Sequence, residues 1–208
     1  MKTIMGNNRH RFQLLFVLLM LFVMGCGDRE LDTVNSVGAL RVYAKDPMHG
    51  LLRTRSFSTL VWKVNLLPRE IAEEGGIALG ASGAGTIHFV VNIAPGSAYR
   101  GGDVMTNGVA SYETYADRMI QLNFRMGENV RLQVGSHELS PKLCHMENTY
   151  GLSDDRNLHI VFADPYLSTD LRQLPTMDLV ITDWIFGTGI SHYPFKSEHL
   201  QKIPVLTL

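Results

Sequence analysis

Residues 86–93, TIHFVVNI, decide the fold, because apolar side chains take every second position. Ile87, Phe89, Val91 and Ile93 alternate with His88 and Asn92 on the other side. Successive side chains of a β-strand point to opposite faces, so this stretch predicts a strand with one buried and one wetted face. Such alternation is typical of antiparallel sheets, whereas buried parallel strands are apolar throughout.

The same alternation recurs on both sides of this central stretch. The further predicted strands lie at residues 40–45, 60–66, 120–126, 130–134, 158–162 and 179–181. Trp62 falls on the apolar side of its run, which predicts a core position. We find no long amphipathic helix, so the pattern indicates a mainly β chain.

The connections between these runs also favour a β fold. Gly127–Asn129 reads as a short hairpin loop between two strands. Residues 68–74, PREIAEE, predict one or two helical turns that end at a glycine pair, and a second helical segment is expected between Ser168 and Pro175. Seven or eight strands predict an antiparallel β-sandwich with long loops and one or two short helical segments, with a closed β-barrel as the alternative.

The amino-terminal residues read as a targeting segment. Three basic residues precede an uninterrupted apolar run, Leu14–Met24, which ends at Gly25 and Cys26. A basic start, a short apolar run and a small residue before the cleavage point are typical of a secretory signal peptide. The run is too short to span a bilayer, which needs about 20 apolar residues.

Val23-Met24-Gly25-Cys26 resembles the lipobox of bacterial lipoproteins. The resemblance implies a diacylglycerol on the Cys26 thiol, cleavage before Cys26 and acylation of the new amino terminus, and two or more acyl chains give stable membrane attachment. We therefore expect residues 1–25 to be a signal peptide, residues 26–37 a lipidated tether and residues 38–208 one β-sandwich domain. The expected location is the bacterial cell envelope, with the outer membrane favoured over the inner membrane.

Charge and cysteine content narrow the choice of partners and chemistry. Cleavage before Cys26 leaves four more acidic than basic residues. A nucleic-acid partner would require a basic surface, so none is expected. Cys144 is the other cysteine, and it lies in a largely apolar run. It cannot form a disulfide within the domain, and we interpret it as a small buried apolar residue.

Two long loops, Ala94–Asp117 and Ser140–Asn157, and the segment Phe186–Gly189 are predicted to carry any recognition surface, because long loops in compact domains are often functional. Exposed aromatic side chains would provide platforms for a ligand such as a glycan. The candidate binding residues are Tyr99, Tyr112, Tyr115, Tyr150 and Trp184.

Histidine and acidic residues in the second half of the chain provide candidate ligands for a metal ion. The candidate ligands are His145, Glu147, Asp154, Asp155 and His159. No HExxH, HxH or CxxC pair is present, although zinc sites usually contain such a close-spaced pair. Calcium bound by the Asp-rich loop is an alternative. Asp and Asn are also common in ordinary turns.

No set of catalytic residues is apparent, and the G-x-S-x-G motif of α/β-hydrolases is absent. The leading hypothesis is a lipid-anchored envelope protein with a binding or structural role toward another envelope component, protein or glycan. The alternatives are a metal-dependent or hydrolytic enzyme built around His145, Glu147, His159 and Asp183, and a carbohydrate-binding module. Residues 203–208 are predicted to form a closing edge strand, or else a strand exchanged with a partner.

Overall fold

A computed structural model of the chain describes residues 32–75 and 85–207. Its compact unit begins at Asp32. Four helices lie among eleven strands in the described part. In chain order the elements are β1 (Thr33–Val34), α1 (Val37–Lys45), β2 (Leu52–Ser56), β3 (Leu60–Leu67), α2 (Arg69–Glu74), β4 (Gly85–Pro95), α3 (Tyr112–Ile120), β5 (Val130–Val134), β6 (His137–Leu139), β7 (Leu143–Met146), β8 (Arg156–Asp164), β9 (Met177–Asp183), β10 (Gly189–Phe195), α4 (Ser197–Leu200) and β11 (Val205–Leu206).

Two antiparallel sheets form the body of the domain. One has five strands in the order β2-β3-β4-β8-β7, and the other has four in the order β10-β9-β5-β6. Their inner faces share one hydrophobic core, in which the rings of Phe89 on β4 and Phe195 on β10 are 5.3 Å apart. The sheets are not closed into a barrel. The predicted mainly β, sandwich-like fold is therefore confirmed.

Strand β4 is the centre of the five-stranded sheet, between β3 and β8. Ile87, Phe89, Val91 and Ile93 are all fully buried, as the alternation predicts. The predicted strands at 60–66, 130–134, 158–162 and 179–181 are also confirmed. Trp62 is buried in the core, also as predicted.

The strand predicted at residues 40–45 is wrong, because this segment is helix α1. Ser36 caps the helix, and its hydroxyl accepts a hydrogen bond of 3.2 Å from the Ala39 amide. Leu40, Tyr43 and Ala44 are buried, and their spacing places them on one face of the helix. The apparent period of two arose from a segment too short to separate the two periodicities.

The strand predicted at residues 120–126 is also wrong. Ser111 caps helix α3, and the helix continues as a π-helical segment, Gln121–Arg125. Leu122 is buried whereas Phe124 is 82% exposed, so the two do not share a buried face. Gly127–Asn129 is correspondingly not a hairpin loop, because it belongs to a 3₁₀ turn, Met126–Asn129, which leads into β5.

Both short helical predictions are confirmed. Helix α2 occupies most of residues 68–74, with Pro68 directly before it and Gly75 directly after it. A 3₁₀ turn, Leu171–Gln173, lies between Ser168 and Pro175. Two further 3₁₀ turns, Pro47–His49 and Val104–Thr106, complete the described elements. None of the described helices is long and apolar enough to cross a bilayer.

The first and last described strands pair with each other. Strand β1 lies parallel to β11, and Thr33 and Val34 are the partners of Val205 and Leu206. The carboxy-terminal segment thus forms a paired strand, as predicted, although it closes neither large sheet. Residues 32–37, predicted as part of the tether, contribute this strand and the start of α1. The predicted signal peptide, the Cys26 lipidation site and the start of the tether lie outside the described residues.

Candidate functional site

The three predicted recognition loops meet at one end of the sandwich, which we call the loop end. The Val104 amide of the first loop donates a 2.8 Å hydrogen bond to the Asp154 carbonyl of the second. Phe186 of the β9–β10 turn lies edge-on to Trp62, with ring centroids 6.3 Å apart. Segments far apart in the sequence therefore form one surface there.

Arg118 of helix α3 joins the first loop to the β9–β10 turn. Its Nη1 donates to the carbonyl oxygens of Met105 and Asn107, at 2.9 and 2.8 Å. Its guanidinium carbon lies 4.7 Å from the centre of the Phe186 ring, in a cation–π arrangement. Burial lowers the pKa of Arg118, and the charge of Asp183 opposes this shift. The side chain serves to order the loops.

Arg156 has the corresponding role between the first and second loops. This buried side chain forms an ion pair with Asp103, and its Nη1 donates to the Ser153 carbonyl at 2.7 Å. Asp103 also accepts a 2.9 Å hydrogen bond from the Met105 amide, which caps the Val104–Thr106 turn. Both carboxylate oxygens of Asp103 and both terminal nitrogens of Arg156 thus have partners, which offsets the cost of burying the two charges.

Asp183 fixes the turn between β9 and β10. The residue is only 2% exposed, and its Oδ1 accepts 3.0 Å hydrogen bonds from the amides of Ile185 and Phe186. Its Oδ2 accepts from the Thr188 amide at 3.0 Å and from the Thr188 hydroxyl at 2.6 Å. Four donors hold the carboxylate and leave Trp184, which follows it, 72% exposed. A large aromatic side chain is thus presented on a rigid turn.

Trp184 borders a groove of about 300 Å³ at the loop end, which we call the Trp184 groove. Helix α3 supplies much of its lining, because residues three and four positions apart share a face. The polar side chains of Asp117, Gln121 and Asn129 make no hydrogen bond to other side chains or backbone in the part of the chain that the structure describes, so they are available to a ligand. The lining residues are Thr114, Asp117, Arg118, Gln121, Asn129, Trp184 and Ile185.

The predicted aromatic candidates differ in their accessibility. Trp184, Tyr112 and Tyr150 are exposed, as a platform requires, and Trp184 alone among the five lines the groove. Tyr115 packs against the core. The Tyr99 hydroxyl is engaged with the Asp103 carbonyl at 3.1 Å and the Thr106 hydroxyl at 2.8 Å. Tyr99 and Tyr115 are therefore structural, since both side chains are committed inside the loop end.

The five predicted metal ligands do not converge on one point. His145 and His159 are paired across β7 and β8, and Glu147 Oε2 lies 3.9 Å from His159 Nε2. Asp155 accepts a 2.6 Å hydrogen bond from Asn92, and Asp154 belongs to the loop end. Among residues 32–75 and 85–207, no three His, Cys, Asp or Glu side chains are grouped as metal ligands.

Asp183 does not join the residues of the predicted enzyme site. His145 and His159 lie on the outer face of the five-stranded sheet, opposite the face that carries Ile160 and Phe162. Asp183 lies on β9 of the other sheet, and the β9–β10 turn saturates its oxygens. The four residues therefore do not share a pocket, because the buried face of the sheet separates the histidines from Asp183.

Two titratable groups have strongly shifted pKa values. His88, 5% exposed, lies with its Nε2 at 3.2 Å from His159 Nδ1. Burial, and then the charge of His159, lowers the pKa of His88 to about 4, so the imidazole is neutral at pH 7. Burial raises the pKa of the Cys144 thiol to about 11, so the thiol is protonated at pH 7. This inert thiol is consistent with an apolar role for Cys144.

The sequence indicated the segments that form the loop end, although residues 112–117 of the first predicted loop belong to helix α3 and residues 143–146 of the second form β7. It missed the residues that hold these segments together. Nothing in their local pattern distinguishes Arg118 and Arg156 from surface arginines, since their partners come from other segments. No protein family model matches the chain, and no curated protein or solved structure matches it. The geometry of the loop end is therefore the main support for a functional proposal.

Proposed function

We propose that this chain is a lipid-anchored envelope protein that binds another envelope component at its loop end, with a sugar ring of that component held in the Trp184 groove. The observation that carries the proposal is the exposed Trp184 on a turn fixed by the buried Asp183 carboxylate. A large amphipathic aromatic ring held in place provides contact area with little loss of conformational entropy on binding.

The other groups of the groove suit a sugar. An indole face packs against the C–H face of a pyranose ring, while carboxylate and amide groups bind the surrounding hydroxyls. Asp117, Gln121 and Asn129 supply both acceptors and donors for such hydroxyls. The groove volume of about 300 Å³ lies at the lower end of ligand sites, which suits one ring of a longer chain.

The polar lining favours a glycan over a protein partner at this groove. Protein interfaces concentrate apolar and aromatic anchors in a desolvated centre. Around Trp184 the lining is mostly charged or polar, and Ile185 is its only aliphatic member within the described part of the chain. The proposed anchor at Cys26 would hold this domain at a membrane surface, where envelope glycans are abundant.

Tryptophan fluorescence offers a direct test on the lipid-free protein. The sequence has two tryptophans, and Trp62 is buried, so a ligand in the groove should change the emission of Trp184. The protein is titrated with soluble peptidoglycan fragments and, separately, with oligosaccharide released from lipopolysaccharide. We expect saturable binding to one of the two, and at least a tenfold loss of affinity, measured by calorimetry, in Trp184→Ala.

Tyr166→Ala is the matched control, because Tyr166 is an exposed aromatic residue that does not line the groove. This variant should bind as the unchanged protein does. Gln121→Ala and Asn129→Ala should each weaken binding several-fold. Equal binding by Trp184→Ala and the unchanged protein, or binding of neither glycan, would reject the sugar-binding proposal. If the protein instead captures an envelope protein, and Trp184→Ala abolishes that capture, the partner at this groove is a protein and not a glycan.

A further inference from the structure

We infer that a second groove, on the outer face of the five-stranded sheet, binds a small organic anion that carries hydroxyl groups beside its carboxylate. We call it the sheet-face groove. It is a different site from the Trp184 groove and shares no residue with it.

Helices α1 and α2 form one side of the sheet-face groove. Helix α1 packs against α2 and β3, and α2 packs against β4. The two helices together form a raised side of the groove next to the sheet. The groove has a volume of about 540 Å³, which is in the ordinary range for small-molecule sites. Its apolar surface comes from Leu52, Leu67, Ile71 and Val90. Such a surface fits the carbon skeleton of a ligand.

The charges in the groove favour an anion. Lys45 and Lys63 line it, and neither forms an ion pair among the described residues. Arg41 also lines it, but its Nη2 is 2.5 Å from Glu74 Oε2. Asp155 is the single acidic residue among the described residues of the lining, so the cations there outnumber it. Two lysines without partners provide charge for a carboxylate.

Asn65 gives a second, independent indication of a ligand. The residue is only 9% exposed, it lines the groove, and its Oδ1 is buried without a hydrogen-bond partner. Its neighbours across the adjacent strands are Leu52 and Val90, which have no polar side-chain atoms to offer. Buried polar groups are nearly always satisfied, so an exception requires an explanation. Rotation of the Asn65 amide toward the groove would let a ligand hydroxyl donate the missing hydrogen bond.

Asparagines on β4 and β8 bring further amide groups to the groove. Asn92 Nδ2 donates to Asp155 Oδ2 at 2.6 Å and to Asn157 Oδ1 at 2.9 Å. Asn157 Nδ2 in turn donates to Glu147 Oε2 at 2.8 Å. Both donors of Asn92 are thereby used, and its Oδ1 accepts no hydrogen bond within the described chain. The groove therefore combines lysine cations with free amide oxygens, which fits a hydroxylated carboxylate.

Glucuronate is a suitable probe, because it carries one carboxylate and several hydroxyls, and glucose is its matched neutral control. Isothermal titration calorimetry on the lipid-free protein should detect glucuronate, with glucose at least tenfold weaker. Raising the salt concentration should weaken the binding of glucuronate, because the lysines are exposed. Absence of glucuronate binding at millimolar concentration, or equal affinity for glucose, would overturn the proposal.

Variants locate the binding in the groove. We expect Lys45→Gln/Lys63→Gln to lower the affinity for glucuronate at least tenfold. Lys142→Gln is the matched control, since Lys142 is an exposed lysine that does not line the groove, and its affinity should not change. Equal losses in the double variant and in this control would reject the sheet-face groove as the site.

The Asn65→Leu substitution should have opposite effects on thermal stability and on the affinity for glucuronate. Removal of an unpartnered buried amide should raise the thermal unfolding temperature, while the affinity for glucuronate falls at least tenfold. Binding that is unchanged in this variant would contradict the role of Asn65. Trp184→Ala should retain glucuronate binding, so failure at one groove can be distinguished from failure at the other.

Discussion

Asp183 controls the shape of the β9–β10 turn by accepting hydrogen bonds from four donors on the next five residues. In Asp183→Asn, the Oδ2 acceptor becomes an NH₂ group that faces the donors of Thr188. We expect the free energy of unfolding to fall by about 2–3 kcal/mol, the cost of leaving buried donors unpaired. Urea unfolding measures this change.

Asp164→Asn is the control for that change. Asp164 also caps a turn, and its Oδ1 accepts a single 2.9 Å hydrogen bond from the Tyr166 amide near the surface. Its substitution should cost less than about 1 kcal/mol. Similar decreases in the free energy of unfolding in the two variants would show that the four hydrogen bonds of Asp183 stabilise the domain no more than the single hydrogen bond of Asp164.

His88 should make stability depend on pH. Its folded-state pKa is about 4, below the usual 6.5, so the unfolded chain binds a proton that the folded chain rejects between these values. The contribution of His88 to the free energy of unfolding is therefore fully present above pH 6.5 and is lost as the pH falls toward 4. The loss is of the order of 3 kcal/mol. Urea unfolding at pH 7 and at pH 4.5 measures it.

In His88→Gln the difference in stability between pH 7 and pH 4.5 should shrink, because glutamine does not titrate. His137→Gln, at an exposed histidine, should keep the full difference. His88→Gln and the unchanged protein differ in no other ionisable group, so their comparison isolates His88 together with its contact to His159, and His137→Gln measures the effect of losing an exposed histidine. An equally steep pH dependence in His88→Gln would contradict this assignment.

Individual residues of the loop end were only partly predictable. Trp184 is exposed, as the prediction of an aromatic platform requires, and its role in binding stays a prediction. The alternative enzyme hypothesis includes Asp183, although both carboxylate oxygens of Asp183 accept hydrogen bonds within the adjacent turn. The burial of Arg118 depends on carbonyls and a ring from other segments, which no local pattern reveals.

Among the elements, helices α1 and α3 show the limit of period-two reasoning. Both begin at a serine cap, and the cap was the signal that could have corrected the strand predictions. Ser36→Ala should lower the free energy of unfolding by about 1 kcal/mol, because the Ala39 amide loses its acceptor. Ser36→Asp supplies another acceptor and should retain stability. An unaffected Ser36→Ala variant would show that the cap contributes nothing.

The strands were predicted well where both neighbours in the sheet impose the same alternation. Strands β3, β4 and β8 lie side by side, and each alternates a buried position with a less buried one over most of its length. Helices α1 and α3 each buries only part of its surface, so short apolar runs there fit either periodicity. The order of the strands was not predictable, because it depends on pairings between distant segments.

For the molecule as a whole, membrane attachment is the central prediction. The chain has two cysteines, and the proposed lipid is carried by Cys26. Cys26→Ala expressed in a Gram-negative host should lose the incorporation of labelled palmitate and leave the membrane fraction. Cys144→Ala should retain both, because the Cys144 thiol is largely buried within the domain. Labelled palmitate that persists in Cys26→Ala would refute the lipidation site.

The pairing of β1 with β11 also has a consequence for the order of folding. The Thr207 hydroxyl donates to the Val34 carbonyl across 173 residues of chain. Closure of so long a loop has a large entropic cost, which two-residue strands offset only after the two sheets have formed. These two strands should therefore pair last during folding and separate first during unfolding. The amide hydrogens of Val205 and Thr207 should then exchange faster than those of β4, because the β1–β11 pair opens locally while the two sheets remain folded.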